Sequence, residues 1–114
     1  MYEEVLKLYD KLVELNPDFE RKGKTMPYTS ANGHMFSLLN KDGELGIRLS
    51  KESGEKFKET YNAEPFMSHG AVMRGYVCIP EALHGEVELL AAYLKEGHEY
   101  VLSLPPKATK KKKK

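Results

Sequence analysis

Only one cysteine, Cys78, occurs among the 114 residues, so an intramolecular disulfide framework is excluded and a reducing compartment is the expected setting. No apolar run approaches the roughly 18 residues that a membrane-spanning helix needs. The opening Met1-Tyr2-Glu3-Glu4 is acidic and lacks the basic start and unbroken apolar stretch of a signal peptide. A cytoplasmic, soluble protein without a membrane partner is the expectation. Sequence signatures of catalysis are missing too: there is no G-x-S-x-G, no phosphate-binding glycine loop, no His-x3-His spacing, and no carboxylate pair distinct from solvated helix faces. Nor is there an internal repeat.

Acidic residues are missing from one place in particular. The last eight positions hold six lysines, Lys107 and Lys110 to Lys114, and no acid. Setting those six aside leaves 12 basic against 17 acidic residues, so a formal charge of +1 conceals a body of net −5. A folded surface that grips phosphate backbones shows the opposite balance. The basic character belongs to a tail.

What is present is ordinary globular material, 40% apolar and 31% charged. The length suits one domain, residues 1–106, with 107–114 as a lysine-rich segment that repels itself and is expected to be disordered. Tyr2, Val5, Leu6, Tyr9, Leu12 and Val13 recur at helical spacing, and Asn16-Pro17 ends that pattern because the residue before proline leaves the α region. Three β-like runs follow at 24–31, 34–40 and 44–50. They are separated by Asn32-Gly33 and Asp42-Gly43, the dipeptides that tolerate positive φ at both centres of a type I′ turn. In the third run Leu45, Ile47 and Leu49 alternate with Glu44, Gly46 and Arg48, and Pro27 marks the first as an edge or a bulge. A short helix is predicted over 51–61, with Ser50 as N-cap and Asn62 at its left-handed end. Strands at 64–68 and 72–79 come next, then a helix over 86–103 in which Gly97 signals a close contact or a bend. The fold class is therefore α+β: a two-layer arrangement of a five-stranded antiparallel sheet and three helices in the order α-β-β-β-α-β-β-α.

Four stretches resemble the TfoX/Sxy N-terminal-domain family of bacterial proteins: Asn32-Gly33-His34-Met35-Phe36, Leu45-Gly46-Ile47-Arg48-Leu49-Ser50, Met67 through Val77, and Ser103-Leu104-Pro105-Pro106-Lys107. The likeness covers about residues 1 to 107. Two departures accompany it. Met26-Pro27-Tyr28-Thr29 stands where the family often has Met-Phe-Gly-Gly, and the chain is too short for the C-terminal helical domain of the larger competence regulators. The resemblance implies a secretion-chaperone-like fold, a free-standing regulatory or accessory role, and no established catalytic residue or cofactor.

Candidate sites weigh lightly against structural readings. Cys78 sits in an apolar β-run, where free cysteine packs as a small hydrophobe. His34, His69, His84 and His98 form no ligand set, so no metal or cofactor is expected. Arg74 and Tyr76, flanking Gly75, make either an interaction patch or a cover for the open sheet face. Lys110, Lys111, Lys112, Lys113 and Lys114 suit weak, nonspecific contact with nucleic acid. The leading expectation is a non-catalytic, protein-binding module, monomeric or homodimeric. The alternative is nucleic-acid association through the tail.

Overall fold

The computed structural model describes residues 2–16, 19–23, 27–68 and 70–105, with the side chains of Ser68 and Arg74 outside that description. Its elements are α1 (Tyr2–Glu14), β1 (Tyr28–Ala31), β2 (His34–Leu39), β3 (Leu45–Arg48), α2 (Lys51–Tyr61), β4 (Pro65–Ser68), β5 (Ala71–Cys78), a 3₁₀ turn at Glu81–Leu83, and α3 (Val87–Leu102). The α+β class and the element order agree with the sequence. The sheet is antiparallel, in the order β1-β2-β3-β5-β4. An isolated bridge between Lys22 and Tyr28 adds a sixth strand position outside β1, where the sequence predicts five strands in all. Lys22 and Tyr28 exchange both backbone hydrogen bonds; of the strand expected over 24–31, residues 24–26 lie outside the described residues and β1 covers Tyr28–Ala31.

The three helices share one face. α3 lies across β1, β2 and β3, α1 packs beside it on β2, and α2 covers β5. The core between the layers takes Tyr9 and Leu12 from α1, Phe36 and Leu39 from β2, Leu45 and Ile47 from β3, Phe57 from α2, and Leu90, Leu94 and Val101 from α3. The inward alternation of Leu45, Ile47 and Leu49 is as expected. A β-bulge interrupts the alternation in β2. Thr29 pairs with Ser37 and Ser30 with Met35, so Phe36 is the extra residue. Phe36 and Ser37 consequently both point at the helices. Phe36 packs against Phe19 and His98, with ring centroids 4.9 and 5.3 Å away. Ser37 joins the Tyr9 and Thr29 hydroxyls in a buried hydrogen-bonded chain that fastens α1 to the sheet. Burial pushes the Tyr9 phenol well above its ordinary range.

The turns explain the register. Asn32 and Gly33 both have positive φ, 56° and 80°, the type I′ geometry expected of Asn-Gly. The second hairpin corrects the expectation: among its residues only Gly43 has positive φ, 81°. A Gly43 N–H to Asn40 carbonyl bond of 3.0 Å closes the turn one residue earlier than an Asp-Gly type I′ turn would. Asn40 is the cause. Its side-chain oxygen accepts from the backbone N–H groups of Asp42 (3.0 Å) and Glu44 (2.9 Å), an arrangement a two-residue turn cannot supply. α2 begins and ends as predicted, with Ser50 Oγ accepting from the Ser53 N–H and Asn62 left-handed at φ 53°.

Candidate functional site

A cleft of about 600 Å³ opens at the end of the sheet where β3 begins and β5 ends. Four segments meet there. α1 brings Glu4, Val5 and Leu8; the β2–β3 turn brings Asp42 and Glu44; the α2–β4 connection brings Ala63 and Glu64; and the end of β5 with the stretch after it brings Cys78, Ile79, Pro80, Glu81 and His84. The floor is apolar and the rim carries five carboxylates, while none of the described lining residues is lysine or arginine. Glu44 is positioned by the turn itself, its Oε1 accepting from Asn40 Nδ2 at 3.0 Å. The Cys78 thiol registers the field. Burial first, then the carboxylates of Glu44 and Glu64, push its pKa up to about 11. A thiol so placed stays protonated at neutral pH and is a poor nucleophile. His84 lines the same cleft, but among the described residues no hydrogen bond joins it to Cys78. Among the described residues no group of three or more His, Cys, Asp or Glu is placed to hold a metal ion.

A second cavity, about 460 Å³, lies at the opposite end of β3, where Arg48 stands between the first turn of α2, Gly75 and α3. The Arg48 guanidinium carbon lies 5.6 Å from the centre of the Tyr100 ring, a cation–π contact. The two ends of the sheet thus differ in sign.

The residues singled out from sequence fall as follows. Tyr76 is buried rather than surface-facing, its ring stacked on Phe66 with centroids 5.9 Å apart and its hydroxyl donating to the Met35 carbonyl at 2.8 Å. The Arg74 side chain lies outside the described residues, as do His69 and Lys110 to Lys114. His34 donates from its ring to the Pro105 carbonyl at 2.9 Å, and His98 is buried between Phe19 and Phe36. Beside His34, Asn32 Nδ2 donates to the carbonyls of Val101 (2.9 Å) and Leu104 (2.8 Å), fixing where α3 ends. No single stretch of sequence signals the cleft, because its acids come from four separate segments. The one sequence signal for it was the net −5 of the body.

No family model matches the chain, and no curated protein matches it. Among the described residues no helix is long and apolar enough to cross a membrane.

Proposed function

We propose that the protein is a non-catalytic accessory module, similar to the TfoX/Sxy N-terminal domains, that binds a partner protein by taking a basic, partly apolar segment into the acidic cleft. The observation that carries this reading is the cleft's composition: an apolar floor under five carboxylates, with no lysine or arginine among the described lining residues. Apolar burial supplies affinity and the rim supplies selection by charge. The same field repels a phosphate backbone, so this end of the body does not favour nucleic acid. Association with nucleic acid through Lys110 to Lys114 is the second reading, favoured by the clustering of six lysines in the last eight residues.

The test is chemical-shift mapping with a short lysine- and leucine-containing peptide. The reading expects shifts concentrated at Gly43, Glu44, Ala63, Cys78 and Ile79. Shifts confined to Arg48, Gly75 and Tyr100 at the other end would overturn it.

A further inference from the structure

The helix-free face of the sheet carries a second apolar cluster, formed by Leu38 of β2, Phe66 of β4 and Tyr76 of β5. Side chains on an uncovered sheet face stay partly wet, yet Phe66 is fully buried and Leu38 and Tyr76 are nearly so. The cover is β4 itself. A Cβ on Gly46 would stand 2.5 Å from both Cγ and Cδ2 of Phe66. Cγ is the first ring carbon, so Phe66 reaches β3 with the root of its ring, although strand pairing puts β4 outside β5. One residue further on, the Met67 carbonyl accepts a 2.8 Å bond from Asn40 Nδ2, at the end of β2. β4 leaves the edge of the sheet and crosses its face.

The crossing is weakly tied to what lies beneath. Pro65 pairs with Val77 and Met67 with Val72, so five residues of β5 are spent against two of β4, and the ladder breaks between them. Gly75, within the excess, has φ +85°. Beyond Phe66 the outer side chains add little burial, since Met67 is 43% and Val72 56% exposed. What lies under β4 is held independently: Gly46 and Leu38 belong to the ladder of β2 and β3, and Tyr76 is fixed by its bond to the Met35 carbonyl.

We propose that β4 is a hinged strap that lifts from the intact sheet as a unit, uncovering a preformed slot on Gly46 between Leu38 and Tyr76. Phe66 fills the slot when the strap is closed. An aromatic side chain on an extended segment of a partner protein takes its place when the strap is open, because Phe66 shows what the slot fits. This does not rest on the acidic cleft. Besides its broken ladder with β5, two contacts among the described residues pin β4 to the sheet, the Phe66 ring on Gly46 and the Asn40–Met67 bond, and loss of either favours the open form.

The experiment is thiol labelling in a Cys78→Ala background, comparing Leu38→Cys beneath the strap with Ile47→Cys beneath the helices. Labelling at position 38 should be at least about tenfold faster than at 47, with weaker dependence on denaturant, because local opening exposes less surface than unfolding. Adding Phe66→Ala, which empties the slot, should accelerate position 38 far more than position 47, and a phenylalanine-bearing peptide should then protect it. Equal rates and equal denaturant dependence at the two positions overturn the strap, and failure of the peptide to protect overturns the slot. Should the cysteine variants not fold, chymotrypsin cleavage after Phe66 in the unmodified chain decides: cutting ahead of global unfolding supports lifting, and cutting only with global unfolding overturns it.

Discussion

Two glycines on opposite faces of the sheet meet the same obstacle in different materials. A Cβ at Gly97, where α3 crosses β3, would lie 2.6 Å from the Arg48 carbonyl oxygen, which is backbone of a central strand. A Cβ at Gly46, on the other face of the same strand, would lie 2.5 Å from the ring of Phe66, a side chain on a strap. On the helix face close approach is enforced by elements that cannot move apart without undoing the core. On the other face the neighbour swings. The comparison teaches that equal burial and equal distance do not mean equal contribution to global stability.

Phe36 and Phe66 give the widest separation, since both rings are fully buried. Phe36→Ala, inside the helix-covered core, should cost about 3–5 kcal/mol in denaturant unfolding. Phe66→Ala should cost at most about 2 kcal/mol, because the loss is limited to the free energy that closes the strap. Equal losses would erase the distinction between the faces. The glycines come next. Gly97→Ala should lower stability by a net of about 1 kcal/mol or more, the overpacking outweighing the gain in helix propensity. Gly46→Ala meets Phe66 at the root of its ring, so β4 must shift with it, and the loss in denaturant melts should be limited to the free energy that closes the strap, at most about 2 kcal/mol.

Cys78 sits where the two regions meet, at the rim of the helix-free cluster and in the wall of the cleft. With its pKa raised from 9.0 to about 11, alkylation at about pH 8 should run roughly two orders of magnitude slower than for a free cysteine. The ordinary thiol releases its proton near 9 and the folded one near 11, so folding is favoured most below 9. That contribution is lost as pH rises through 11. Alkylation at the free-cysteine rate would remove the field argument for the cleft. The smallest effect concerns the tail: deleting residues 107–114 should move Tm by less than about 1 °C, since lysines cannot bury apolar surface and follow two prolines.

The helix face was legible in the sequence and the other face was not, for a physical reason. Periodicity in α1, in β3 and in α3 reports which side of an element is apolar, and the helices meet the sheet on that side. Ser50 and Asn62 announce the ends of α2 by local chemistry. β4 crosses the sheet because β5 spends extra residues near Gly75, and neither pattern nor turn residues encode a crossing of that kind. Tyr76 read as surface for this reason: alternation puts it on the open face, and only β4 makes that face an interior. Phe36 and Ser37 likewise defeat alternation through a bulge. The cleft depends on bringing Glu4, Glu44, Glu64 and Glu81 together from four segments, which is a property of the fold and not of any stretch.

The most direct test of the binding reading is the Kd of the lysine- and leucine-containing peptide for the full chain, with and without Glu44→Gln and Glu64→Gln, at low and high salt. The account predicts binding that weakens as salt rises and falls at least about tenfold in the double variant, because Glu44 and Glu64 supply the field that reaches Cys78. It predicts the same Kd after removal of residues 107–114. Binding unchanged by the two substitutions, or absent from the full chain, would contradict it.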